Sequence, residues 1–264
     1  PWDVALPTDN ATLRWAVRRG DAGAGSFVFI NNYERTGEGI HPTMPPKELV
    51  RLRLNINGSS TPITIPSAKS NPLTIPSDIW MVWPVDMQLH LDAVSDGIAS
   101  SGGAAGPVLV YATAQLVARV KNSAGSAEVL FLVETEGIPA EFAFSGDDAV
   151  TAVPGKATVS TEGDLTVFRN VSAGTAAFAS TKAGAGTLTI VLLPAAMADS
   201  VWLQTLDGVQ RLFISDNTTS PEVLVMAEGT TLHFRTGMLS DSAQKLWVFP
   251  PVSGLKHADG SAVP

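Results

Sequence analysis

The stretch Leu49-Val-Arg-Leu-Arg-Leu-Asn-Ile56 alternates apolar and polar residues. Leu52, Leu54 and Ile56 fall on one side, and Arg51, Arg53 and Asn55 on the other. Successive side chains of a strand point to opposite faces, so this period of two predicts a half-buried β-strand with one wet face. The same signal recurs outward from it. Ser26–Tyr33 sets Phe27, Phe29 and Asn31 against Val28 and Ile30, and Met81–Leu91 contains another alternating run. Leu13–Arg19 reads as a strand, and Thr61–Pro66 and Leu73–Pro76 as short ones whose prolines suit sheet edges or strand ends. Leu109–Val120 and Val129–Val133 are almost wholly apolar, as central strands are.

The second half continues in the same style, with strands predicted over Ala157–Ser160, Leu165–Val171, Thr175–Ser180, Thr187–Leu193, Arg211–Ser215, Val223–Met226, Thr231–Arg235 and Leu246–Phe249. Many short strands divided by turn residues predict an all-β protein of packed antiparallel sandwiches, of jelly-roll or immunoglobulin-like type. One segment departs from this. Pro194–Leu206 opens with Pro at a first helical position, followed by Ala195, Ala196, Met197 and Ala198, and predicts a single short helix with Met197, Val201 and Trp202 on one face. Ser95–Pro107, rich in Gly, Ser and Ala, reads as a flexible loop. The length of 264 residues fits two domains. A boundary at the Asn122–Ser126 turn gives sandwiches over residues 1–122 and 123–264, and the Ser145–Asp148 turn is the other place for one.

Composition narrows the function. Apolar residues make up 45% of the chain, so it can bury a real core. The formal net charge of −8 argues against nucleic acid or an anionic membrane surface as partner, because both need a basic patch. No run approaches the ~18 apolar residues of a membrane span. The chain has no cysteine, which excludes thiolate metal sites, disulfides and cysteine nucleophiles. It begins at Pro1 and reads as a processed chain or a piece of a longer one. Four Asn-x-Ser/Thr sequons, at Asn10, Asn57, Asn170 and Asn217, matter only in a host that glycosylates.

Residues that carry chemistry are sparse. Glu134 and Glu136 sit two apart at a strand end, with Glu141 nearby and Asp147-Asp148 in a turn. Paired carboxylates perform glycosidic chemistry, and solvated strand-end charges account for the same pattern. Two turn aspartates fall short of the six or so oxygens a hard cation takes. The histidines His41, His90, His233 and His257 lack metal-ligand spacing. There is no Gly-x-Ser-x-Gly elbow and no phosphate-cradling glycine loop. No metal and no cofactor is expected.

Aromatic residues say more. Trp80-Met-Val-Trp83, closed by Pro84, puts Trp80 and Val82 on one strand face and Met81 and Trp83 on the other. Exposed tryptophan stacks on sugars, while buried tryptophan fills cores and interfaces. The polar run Asn31-Asn32-Tyr33-Glu34-Arg35 follows an apolar strand and reads as a polar turn or as ligand contacts. The candidate carbohydrate-binding set is therefore Trp80, Trp83, Asn32, Tyr33 and Arg35.

Four stretches carry a resemblance. Gly25-Ser-Phe-Val-Phe-Ile-Asn-Asn-Tyr-Glu-Arg35 resembles a "GFLFxNNxQR" strand and turn, and Ile75-Pro-Ser-Asp-Ile-Trp-Met-Val-Trp-Pro84 an "IPSGxYFIWP" segment. Leu109-Val-Tyr-Ala-Thr-Ala-Gln115 resembles "LxYATAQ", and Gly137-Ile-Pro-Ala-Glu-Phe142 resembles "GIPAEF". All four occur, in this order, in the β-domains beyond the catalytic barrel of β-galactosidases of glycoside hydrolase family 35, and the likeness extends over about half the chain. It departs at Glu34, where Gln is usual, and at Asp78-Ile79.

The resemblance implies all-β domains packed beside a (β/α)8 barrel that supplies two glutamates to a retaining mechanism, and a secreted or periplasmic setting. A barrel needs about 200 residues of strand–helix alternation, which this chain lacks, and no residue here corresponds to those glutamates. Three functions follow as expectations. The first is an accessory sandwich region supporting a catalytic barrel, the second a stand-alone carbohydrate-binding module. The third is an independent glycosidase, esterase or lactonase whose site only the fold assembles.

Overall fold

A computed structural model describes residues 3–5, 13–20, 25–33, 44–56, 62–89, 107–121, 128–145, 150–152, 157–173, 177–181, 187–206, 209–215, 222–227, 230–235, 246–249 and 256–257. These form, in chain order, β1 (Asp3–Ala5), β2 (Arg14–Arg19), β3 (Ser26–Asn32), β4 (Lys47–Val50), β5 (Leu52–Leu54), β6 (Ile63–Ile65), β7 (Leu73–Ile75), β8 (Ile79–Gln88), β9 (Val108–Ala112), β10 (Ala114–Lys121), β11 (Glu128–Glu134) and β12 (Ala140–Ser145). They continue with β13 (Val150–Ala152), β14 (Thr158–Glu162), β15 (Leu165–Val171), β16 (Ala177–Thr181), β17 (Thr187–Leu193), β18 (Val201–Leu206), β19 (Val209–Ser215), β20 (Glu222–Ala227), β21 (Thr230–Arg235), β22 (Leu246–Phe249) and β23 (Lys256–His257).

The fold is an all-β sandwich. An eight-stranded sheet runs β1-β2-β3-β8-β9-β12-β15-β14, and a five-stranded sheet runs β10-β11-β17-β16-β13. Small sheets β4-β7, β5-β6, β18-β19-β22 and β21-β20-β23 complete it. All pairings are antiparallel except β11 with β17, which is parallel. The two large sheets face each other across a core of Leu109, Phe142, Phe144 and Phe168 on one side and Leu130, Leu132, Ile190 and Leu192 on the other. Phe144 and Phe168 meet edge to face, ring centroids 5.8 Å apart. A second core lies on the opposite face of the eight-stranded sheet, where Val28, Ile30, Met81, Trp83 and Tyr111 pack against Leu52, Leu54, Ile65, Leu73 and Ile75 of the small sheets. Phe131, Val133 and Leu193 leave the five-stranded sheet on its far side and meet Leu212 of β19. Sheets buried on both faces need apolar side chains at both parities, which is why β9 and β11 read as continuous apolar runs.

Two irregularities switch strands between these cores. In β10 the register slips between Leu116 and Ala118, so Leu116 packs on the inter-sheet core and Ala118 on the outer one. In β8 Asp86 takes a left-handed backbone (φ 50°), and Val85 and Met87, two apart, enter different cores. The β10 bulge re-aims that strand's side chains, whereas β8 switches cores with its register against β9 unbroken. Gly25, before β3, has φ +82°, and a Cβ there would lie 3.0 Å from Met87 Cβ. Gly137, with φ +72°, would place one 2.9 Å from Pro76 Cγ. Only glycine fits both backbone demands without strain.

Several expectations change. The Leu49–Ile56 run is two strands, β4 and β5, divided at Arg51; Leu49 beside the break has φ 57° and is 78% exposed. Its core face stands as read, since Leu52, Leu54 and Ile56 are buried. Leu109–Val120 is also two strands, because the chain leaves one large sheet for the other at Thr113. Thr113 is held there by Glu141: its N–H donates to Glu141 O (2.9 Å), and its Oγ1 accepts from Glu141 N (2.8 Å). The Pro194–Leu206 helix is a 3-10 helix over Ala195–Ser200 only, because Val201–Leu206 forms β18 and pairs with β19. The boundary drawn between residues 122 and 123 lies outside the described residues, between the antiparallel partners β10 and β11. Positions 95–106 of the expected loop, together with His41, His90, Asp147 and Asp148, lie outside the described residues.

Candidate functional site

The outer end of the eight-stranded sheet carries a row of side chains set by register. Arg14 of β2 lies opposite Asn31 of β3, and Asn31 opposite Trp80 of β8. The next row is Ala16, Phe29 and Val82. Residues directly opposite in antiparallel strands project to the same face, so both rows form one surface. The five-stranded sheet covers the far end of this face, where Phe27 packs into the inter-sheet core. Cover thins toward the row's end: Phe29 is 37% exposed and Trp80 64%. At its margin Val82 N–H, turned away from β3, donates to Gln115 Oε1 (3.3 Å). Two residues along, Pro84 has no N–H to satisfy. The Asn31 carboxamide is oriented by Tyr33, whose N–H donates to Asn31 Oδ1 (2.7 Å).

On the opposite face, under the turn 66–70, lies a buried polar node. Glu141 is held between Ala140 and Phe142 in β12, and 5% of it is exposed. Its Oε1 accepts from Ser67 N–H (2.8 Å) and from the Tyr111 hydroxyl, and its Oε2 from the Ser70 hydroxyl. Arg169 of β15 pairs with it, Nε to Oε2 at 3.6 Å, and also pairs with Glu162 of β14. The same guanidinium donates to Ser70 Oγ (2.5 Å), Ser160 Oγ (2.6 Å) and Ser67 Oγ (2.7 Å). Arg51 donates to the carbonyls of Pro66 (3.1 Å), Ser67 and Ser70 (2.7 Å). Lys69 Nζ reaches Thr161 O at 3.2 Å on the sheet's last strand. Hydrogen bonds and a cation offset the cost of burying a carboxylate, and both oxygens of Glu141 are so engaged.

Burial and the negative charge of Glu141 push the Tyr111 phenol well above its ordinary value of 10.0. From about pH 10 upward the unfolded chain releases this proton and the folded chain keeps it, so stability falls as pH rises, by up to about 1.4 kcal/mol per pH unit. Urea midpoints compared at pH 9 and pH 11 are expected to show this fall in the wild type and a shallower one in Tyr111→Phe. An equal slope in both would remove Tyr111 as its source.

The predicted carbohydrate set separates. Trp80 and Tyr33 are exposed, at 64% and 42%. Trp83 is fully buried, with its Nε1 donating to Thr135 Oγ1 (3.0 Å), and offers no face to a sugar. Asn32 is also fully buried: its Nδ2 donates to Pro45 O (3.0 Å) and Pro76 O (2.7 Å), tying the segments before β4 and after β7 to β3. Its Oδ1 has no partner among the described residues. Arg35 lies outside the described residues. Of the carboxylates, Glu136 is exposed, and Glu134 Oε1 accepts from Ala173 N–H (2.9 Å). Glu141 is no solvated strand-end charge. Asn31 belongs to the polar run read as a turn or as ligand contacts but not to the candidate set, although the alternation Phe27, Phe29, Asn31 places it on a different face from Val28 and Ile30; nothing in the sequence singles out Arg14. No protein-family model matches this chain, and no curated protein matches it.

Proposed function

We propose that this chain is a non-catalytic β-sandwich region of a β-galactosidase-like glycoside hydrolase, whose partner is a catalytic barrel. One observation carries the reading. The four stretches that resemble the accessory region of family 35 belong to β3, β8, β9 and β12, which are consecutive neighbours in the eight-stranded sheet. Short motifs far apart in the chain thus act together as the sheet's scaffold. Gly25 and Gly137, which open two of these stretches, meet backbone demands, and Glu141 of the last is engaged in holding a turn. Each has a structural duty.

The purified chain, offered nitrophenyl β-galactoside and a nitrophenyl ester across several pH values, is expected to give no turnover. Turnover that copurifies with the chain and vanishes in a folded Glu141→Gln variant would make it a hydrolase in its own right.

A further inference from the structure

We propose that the face bearing Arg14, Asn31 and Trp80 is a binding site for an acidic oligosaccharide, one carrying a carboxylate on a pyranose ring. The site does not depend on a barrel being attached. Three groups stand in one cross-strand row, at a neighbour spacing of about 4.8 Å, so the Arg14 and Trp80 Cα atoms lie about 10 Å apart. That span suits one to two sugar rings. Trp80 offers an indole with most of its surface in water, the platform on which the C–H face of a pyranose packs. Asn31 has its oxygen held by Tyr33 N–H, so the amide presents its two N–H donors to hydroxyl or ring oxygens. Arg14 supplies a planar, permanently charged fork that matches a carboxylate. Among the described residues Arg14 has no ion-pair partner.

Charge sets the choice between neutral and acidic ligands. The chain as a whole is acidic, yet β2 places both Arg14 and Arg18 on this face, since Arg18 stands opposite Phe27 in the same series of rows. A neutral glycan would need only the indole and the amide. A guanidinium in line with them adds recognition of an anion.

Calorimetric titration of the purified chain with trigalacturonate and with neutral β-1,4-galactotriose tests this. Trigalacturonate is expected to bind, more tightly than the neutral trimer and less tightly as salt rises. Trp80→Ala and Arg14→Gln are each expected to weaken it about tenfold. Trp80 is exposed and Arg14 half-buried, and melting temperatures equal to wild type show the fold intact in both variants. Arg14→Gln is expected to leave the neutral trimer unaffected. Failure of both trimers to bind, or binding that neither substitution changes, would overturn the proposal. So would equal affinity for the two trimers, which removes Arg14 from recognition. A sedimentation shift from dimer to monomer in Trp80→Ala, with no sugar bound by either form, would make the face an interface between copies and overturn it as well.

Discussion

Glu141→Ala is expected to cost about 3–5 kcal/mol of folding stability, a large part of what a domain of this size possesses. The substitution leaves Ser67 N–H, the Tyr111 hydroxyl and the Ser70 hydroxyl without their acceptor, and Arg169 with Glu162 alone among carboxylates. Burial makes each of these losses expensive, because water does not replace the missing oxygen. Arg169→Ala is expected to cost a comparable amount, since it strands two carboxylates that are largely buried. The double variant should lose less than the two single losses together, as residues in one network do. Urea unfolding of the four proteins gives the coupling directly. A Glu141→Ala loss below about 1 kcal/mol would mean that the node contributes nothing particular to the fold.

Trp83→Ala is expected to cost about 3–5 kcal/mol, whereas Trp80→Ala, three residues earlier on the same strand, should change stability by no more than about 0.5 kcal/mol. Trp83 fills the second core between Val28 and the small sheets, and its indole N–H holds Thr135, which in turn donates to Thr113 O (3.2 Å). Removing the ring opens a cavity and loosens the point where the chain crosses between sheets. Trp80 is 64% exposed. Thermal unfolding of both variants decides the matter. Similar losses at the two positions would contradict the assignment of core and surface.

These two contrasts show what the sequence made legible. Alternation along Ser26–Tyr33 and Met81–Leu91 defined which residues share a face, and the sheet honours that grouping. Parity cannot say which face is inside, so Trp80 and Trp83 were interchangeable on paper. Asn32 shares its parity with Val28 and Ile30, and its polarity suits a ligand contact, yet it is buried because proline carbonyls from two other segments accept from its amide. Glu141 was harder still. Its partners Ser67 and Ser70 lie more than 70 residues earlier, and no local pattern around Ala140 and Phe142 announces them. The break at Thr113 left little trace in an almost wholly apolar run, because the two large sheets it joins each carry core residues on both faces.

The strand order of the large sheet also bears on how the chain is made. From β1 to β12 the order in space follows the order of synthesis, with the other strands looped out on the way. A growing polypeptide can therefore lay the sheet down outward from its first hairpin, each new strand finding the edge left by its predecessor. Through that time the newest edge is an open row of backbone donors and acceptors, ready to pair with any other nascent chain. The β14–β15 hairpin arrives last and closes the series. Its outer strand is short and rich in Thr, Ser and Glu, with Lys69 laid against Thr161 O. Translation that stalls before residue 158 would leave the ribosome holding an apolar sheet with its edge exposed, so the terminal hairpin doubles as a guard against aggregation.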